Sequence, residues 1–329
     1  MFVKIYKISL TPHGSITSPP DSQTLFGSIC WSIRELYGEQ NLEELLDNFK
    51  ESGNKFVISS TFLDGVVKAP MMGWATLDEI IDIGGRLNLK SDELSRRSRV
   101  FKKISYWSEG VLRTYLKGEL DRKKVVEDLL SENGRYVYLE GLLAYRDEQI
   151  AAIESCEENS RRNFINRLSG TTEEGNLFYY NRKFLDPNSK LFFLIKTNNI
   201  DYFMPIFRYM SDISIGGDKS IGMNSYDVVY EGEFKYEKCI KENILLSKYI
   251  PYYEEVNWSQ SSFKICMGHY KVESRDEFMG EDILKDEVGY LTEGSKIMLN
   301  QSKEIYGLLP VVKEIKGKRI RHNGLGFFL

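Results

Sequence analysis

The chain has 329 residues, 42% of them hydrophobic and 28% charged, with 44 Lys and Arg against 48 Asp and Glu and a net charge of −4. That composition supports a folded protein with a sizeable core or two domains of ordinary size. It argues against a uniformly basic nucleic-acid binder, while a basic groove on an acidic body stays open because the local field decides phosphate binding. Residues 2–10, FVKIYKISL, read as a first strand, and the loop TPHGSITSPP follows. Leu25, Ile29, Ile33 and Leu36 then form a helical stripe, widened by Phe26, Cys30 and Tyr37, with Asp21 or Ser22 as its cap. A second short helix is expected from Asn41, where Glu44 completes a capping box, with Leu42, Leu45, Leu46 and Phe49 on its apolar face. Residues 56–62, FVISSTF, read as a second strand.

Residues from about 63 to 189 read as a long insertion. It holds a basic helical stretch near 91–130, a strand over YVYLEGLLAY, and a β-hairpin whose turn signal is GTTEEGN. KLFFLIKT at 190–197 is a buried-type strand. A helix follows from about Asp201, with Ile206, Phe207, Met210 and Ile213 facing the core and Pro205 tolerable only in the first turn. The loop SIGGDKSIGMNSY and the strand YDVVYEG complete this part. Without the insertion the order is strand, helix, strand, strand, helix, strand, the ferredoxin-like split βαβ pattern. The fold expected is therefore α+β, with an N-terminal ferredoxin-like domain over 1–232 interrupted at about 63–189. A second, β-rich ferredoxin-like domain is expected over 233–329, with strands near 262–272, 295–300 and 306–313.

The four cysteines, Cys30, Cys156, Cys239 and Cys266, form no CxxC pair. They read as small buried hydrophobes, and neither a metal site nor a cofactor is expected. Met1 leads straight into a strand-like segment, and no apolar run nears the roughly 18 residues of a membrane span. A cytoplasmic protein with free thiols and no membrane contact is expected.

The chemistry concentrates in GGDKSIGMNSY at 216–226. Glycine admits positive φ and lets a phosphate approach the amides; Lys219 adds a charge and Ser220 a neutral donor. The segment lacks the GK[ST] of a Walker loop. Alone it is an ordinary helix-to-strand turn; its place after the second helix of a split βαβ unit favours a phosphate-binding loop.

The loop resembles the glycine-rich loop of the RAMP superfamily of CRISPR proteins. Gly216, Gly217, Ser220 and Gly222 match, Asn224 replaces the last glycine, and Tyr226 replaces the aromatic. SPPDSQTLFGSICWSIRELYGEQNLEELLDNF at 18–49 resembles the first helix of the fourth subunit of type III-A (Csm) complexes, with Gln23 where aspartate is usual. NRLSGTTEEGNLFYYNRKFL at 166–185 resembles the same family's Asn-Arg-Leu-Thr-Gly element, and the C-terminal GLGFFL fits less specifically. The resemblance implies a Cas-five-like, non-catalytic RNA-binding subunit of a CRISPR ribonucleoprotein. Such a subunit caps the 5′ end of the complex and holds the repeat-derived 5′ handle of the crRNA. It touches the large Palm-domain subunit and the first backbone RAMP subunit, and meets target RNA only indirectly.

The residues expected at RNA are Gly216, Gly217, Asp218, Lys219, Ser220 and Gly222 of the loop, His13 of the loop after the first strand, and Arg161, Arg162, Asn163, Arg167 and Lys183 of the hairpin. Arg and Asn there supply phosphate forks and an amide for a base edge or 2′-OH. Two further basic runs are open. RRSRVFKK at 96–103 lines an RNA path, meets an acidic partner, or is a solvated helix face. KEIKGKRIRH at 313–322 touches the handle backbone or is a basic edge strand. The acidic EDILKDE at 281–287 reads as a solvated helix. The enzymatic alternative is a precursor-processing endoribonuclease using His13; a purely scaffolding protein is a third reading.

Overall fold

The computed structural model describes residues 4–150, 155–165, 169, 171–186, 188–273, 276–278 and 280–329. The chain opens with β1 (Lys4–Pro12), followed by α1 (Ser22–Tyr37). Asp21 caps α1 by accepting from the Thr24 amide at 2.8 Å. Leu25, Phe26, Ile29 and Ile33 are buried as the stripe requires, whereas Leu36 is exposed. α2 (Glu39–Asp47) starts earlier than expected, behind Gly38 and without a side-chain cap. The Asn41 side chain instead donates to the Tyr37 carbonyl, so no capping box forms there. FVISSTF splits into β2 (Phe56–Ile58) and β3 (Phe62–Leu63). Between them the Ser59 hydroxyl accepts from the Leu194 amide at 2.8 Å, which replaces a ladder bond.

The insertion is a structured unit. β4 (Val66–Lys68), α3 (Leu77–Arg86), α4 (Ser91–Ser98), β5 (Tyr106–Ser108), α5 (Glu109–Leu116), α6 (Arg122–Ser131), β6 (Tyr136–Leu139) and β7 (Leu142–Tyr145) follow in order. A three-ten turn, Arg99–Lys102, extends α4. The strands form a sheet in the order β4-β5-β7-β6. The expected single strand over 136–145 is a tight hairpin, because Glu140 (φ 45°) and Gly141 (φ 97°) are both left-handed. The long hairpin of β8 (Ser155–Ile165) and β9 (Thr172–Leu185) then leaves this unit. Its ladder runs from Ser155↔Leu185 to Ile165↔Thr172, so much of the GTTEEGN turn signal already lies in the second strand.

β10 (Leu191–Thr197), α7 (Ile200–Asp212) and β11 (Tyr226–Glu233) complete the first sheet, whose order is β11-β1-β10-β2 with β3 also on β10. Every pairing in it is antiparallel. Pro205 lies inside α7, beyond the first turn, and cannot donate to the Asp201 carbonyl. Burial of Phe203, Ile206, Phe207 and Met210 against the sheet offsets that loss, while Ile213 falls outside the helix.

The remainder is built of short ladders: β12 (Asn243–Ile244), β13 (Ile265–Gly268), β14 (Val288–Leu291), β15 (Lys296–Ile297), β16 (Gly307–Leu308), β17 (Val311–Ile315), β18 (Lys318–Arg321) and β19 (Gly324–Leu325). They pair two by two, β12 with β15, β13 with β14, β16 with β19 and β17 with β18. A second ferredoxin-like unit needs α-helices packed on a four-stranded sheet, and the described residues from 233 onward hold no α-helix but these ladders, isolated bridges such as Tyr249↔Leu291 and Ser262↔Lys296, and three-ten turns. EDILKDE is likewise extended rather than helical. The main core is continuous across position 232: Ile244, Leu246, Leu325, Phe327 and Leu329 pack in one cluster with Phe56, Phe193 and Phe207. The cysteines are free but none is fully buried, with Cys156 and Cys239 exposed. Among the described residues no helix is long and apolar enough to cross a membrane.

Candidate nucleic-acid interface

The segment between α7 and β11 is shaped by four left-handed residues, Gly216 (φ 97°), Asp218 (φ 60°), Gly222 (φ 74°) and Asn224 (φ 58°). The Ile215 amide donates to the Asn224 carbonyl at 2.8 Å and closes the loop, and Lys219–Ile221 form one three-ten turn inside it. Gly216 is required twice over, since a Cβ there would stand 3.1 Å from Thr24 Cγ2 on α1. Gly217 has neither constraint: a Cβ would meet nothing within 4 Å. Asn224 does more than tolerate its backbone. Its side chain is buried, with Oδ1 accepting from the Thr17 amide at 2.9 Å and the Thr17 hydroxyl at 3.3 Å, and Nδ2 donating to the Gly217 carbonyl at 2.9 Å. One amide thereby ties the glycine loop to the loop after β1.

That loop is fastened elsewhere too. The His13 amide donates to the Ser225 carbonyl at 3.0 Å, and the Asn224 amide to the Ser15 carbonyl at 3.1 Å. Ile16 pairs with Lys183 through both backbone bonds, 2.8 and 2.9 Å, which joins the base of the long hairpin to the same place. The His13 ring lies 2.9 Å from Asp227 Oδ1, both exposed.

A cleft of about 820 Å³ opens beside this junction. Thr17, Thr24, Gly27 and Arg34 form one wall, Gly216 to Lys219 the rim, and His269 to Glu273, Lys285 and Lys318 to Arg321 the opposite wall. Five of its cations are engaged by carboxylates. Lys219 pairs with Glu273 at 2.9 Å, Arg34 with Glu277 at 2.6 Å, and Lys318 with Glu39 at 2.5 Å and with Glu277. Arg319 and Arg321 both reach Asp47, each at 2.6 Å. Lys248 pairs with Asp21 and with the Tyr270 hydroxyl. Burial pushes the Asp21 carboxyl up, but the Lys248 ammonium, the Thr24 amide and Tyr270 together hold it below the usual range. Burial pushes Lys285 down. His322 is buried without a hydrogen-bond partner for either ring nitrogen, and burial, with Lys285 and Lys248 adding to it, lowers it to about 4.

No family model matches the chain, and no curated protein does. Solved structures do match. A chain of the Csm3–Csm4 subcomplex in the type III-A CRISPR-Cas interference complex superposes with a TM-score of 0.59 at 14% identity, covering 98% of both chains. Csm1–Csm4 cassettes match at TM-scores of 0.58, in complex with cA4, and 0.55, in complex with AMPPNP. Their identities are 16% and 17%, and each comparison covers 99% of this chain and 97% of the other. The component common to both kinds of assembly is Csm4. This chain has the Csm4 fold.

On that Csm4 fold, the expected RNA residues divide into groups. Gly216, Gly217, Asp218 and Lys219 line the cleft; Gly222 belongs to the same loop but does not line it, nor does His13, whose amide is bonded to Ser225 at the end of that loop, and the Lys183 backbone reaches the loop after β1 through Ile16. Ser220 lies in the three-ten turn. Arg161 does not join them. It stands opposite Tyr179, with its guanidinium 5.8 Å from the ring centroid, four ladder positions beyond Lys183 and roughly 14 Å away along the strand. Arg162 and Asn163 follow at the next positions, opposite Phe178 and Leu177, and Arg167 lies outside the described residues. The opposite wall of the cleft was not anticipated from sequence. KEIKGKRIRH forms the two-stranded β17–β18 ladder and is not an open phosphate site: Lys313 pairs with Asp282, Lys318 with Glu39 and Glu277, and Arg319 and Arg321 with Asp47, while Lys316 donates to the Glu277 backbone carbonyl.

Proposed function

We propose that the chain is a non-catalytic RNA-binding subunit of a type III-A CRISPR effector, and that it holds the crRNA 5′ handle along the rim of the cleft. In this reading the sheet β11-β1-β10-β2 with α1 and α7 is a ferredoxin-like RAMP frame, and the β8–β9 hairpin is its thumb. The partners are a Csm1-like large subunit and a Csm3-like backbone subunit, with target RNA met through the crRNA. The observation that carries the reading is the junction itself. A glycine loop, the loop after β1 and the hairpin base are locked together by Asn224 and the Ile16–Lys183 pair, and Gly217 is left open where no packing demands a glycine. Exposed amides there suit phosphates without reading sequence. Such RNA contact depends on salt and is confined to one groove.

The test is reconstitution of the chain with Csm1-like and Csm3-like subunits and a crRNA carrying photoreactive handle nucleotides. Adducts at 216–222 are expected; a complex that assembles with no adduct there sinks handle binding in favour of scaffolding. A second reading, a precursor-processing endoribonuclease, draws on the His13–Asp227 pair. Metal-independent cleavage of labelled precursor RNA that vanishes in His13→Ala would establish it and overturn the first.

A further inference from the structure

The run at 96–103 differs from the other basic run of the chain. The cations at 313–321 are engaged, as described above, and so is Arg97, through Glu93 at 2.6 Å and Glu132 at 3.2 Å. Arg96, Arg99, Lys102 and Lys103 are exposed, and no carboxylate among the described residues pairs with any of them. Arg97 and Val100 are only partly exposed, while Arg96, Arg99 and Lys102, three residues apart in turn, share the outer side of α4 and its three-ten extension, and Lys103 follows, exposed, just past its end. From Arg96 to Lys102 the axis rises by roughly 10 Å. Tyr106 follows at the start of β5, 39% exposed, with the Lys68 ammonium 4.5 Å from its ring centroid. None of these residues lines the cleft.

We infer that this side of the insertion is a second docking surface for single-stranded RNA, in which Arg96, Arg99, Lys102 and Lys103 take successive phosphates and Tyr106 stacks on a base. An acidic protein face would use the cations equally well; the part-exposed Tyr106 ring three residues after Lys103, although it already carries the Lys68 ammonium, favours nucleic acid, because bases stack on aromatic rings. The inference does not rest on handle binding in the cleft.

The experiment is fluorescence anisotropy of a labelled polyuridine oligonucleotide with the full chain, between 50 and 200 mM salt, in wild type and in a Lys219→Gln background. Replacing all four cations by Gln should weaken binding at least tenfold at the lowest salt. It should also flatten the log–log salt dependence by about 0.7 per cation. Tyr106→Ala should weaken binding about fivefold or more with the slope unchanged. Circular dichroism shows that each variant is folded. An unchanged slope in the folded fourfold variant overturns the proposal. So does polyglutamate competing as well as RNA at equal charge, which assigns the surface to an acidic protein. A failed cleft would show differently, as no effect of Lys219→Gln with the loss from the fourfold variant intact.

Discussion

Replacing Asn224 separates the two jobs of one buried side chain. Asn224→Gly keeps the left-handed backbone but deletes the bonds to Thr17 and to the Gly217 carbonyl. At about 1 kcal/mol per bond, with the 3.3 Å contact counted as weak, the cost should be about 2 kcal/mol. Asn224→Ala loses the same bonds and places a Cβ at φ 58°, adding about 1 kcal/mol. The assay is hydrogen exchange at the His13 and Ile215 amides, whose acceptors are backbone carbonyls of Ser225 and Asn224 that both variants keep, so their protection reports opening of this junction. Protection should fall roughly thirtyfold in the glycine variant and over a hundredfold in the alanine variant, since 1.4 kcal/mol is tenfold. Equal losses in the two variants would refute the backbone argument. Unchanged protection in both would refute the clamp.

Other outcomes follow from the same structure. Glu273→Gln releases Lys219 from its ion pair, so RNA should bind two- to fivefold more tightly with a steeper salt dependence, read by anisotropy. Lys196 is pressed down to about 7 by burial beneath Phe327 and Phe328. Its folded pKa lies below its unfolded value, so the unfolded chain holds the extra proton, and this residue makes stability rise by up to about 1.4 kcal/mol per unit between about pH 7 and pH 10. Lys196→Met should flatten that rise in urea titrations run across the window. Phe327 is fully buried in the main core, and Phe327→Ala should cost about 3–5 kcal/mol by the same titration.

What the sequence made legible was what neighbours in the chain decide. The α1 stripe, the Asp21 cap and the apolar run Leu191–Ile195 of β10 depend on local spacing and appear where expected. The glycine loop was found because left-handed positions need Gly, Asn or Asp, which a sequence displays. The errors have distant causes. The basic run at 313–321 looked free because Asp47 and Glu39, which neutralise much of it, lie more than 270 residues earlier. Pro205 was expected to fit only in the first turn, and it lies beyond it because the burial that holds α7 together comes from the sheet beneath it. The Glu140–Gly141 turn was overlooked because Glu is an unusual residue for φ 45°. The far wall of the cleft is assembled from segments near 270, 285 and 320, and no local pattern could join them.

The union of Ile16 with Lys183 makes the long hairpin a lever with its fulcrum beside the glycine loop. From Glu157, opposite Lys183, to Ile165 the arm measures roughly 27 Å, so a tilt of 10° at the base moves its outer end by about 5 Å. The relation runs both ways. Whatever grips the outer end of the hairpin exerts torque on the two backbone bonds that hold Ile16, and through Thr17 and Asn224 on the rim of the cleft.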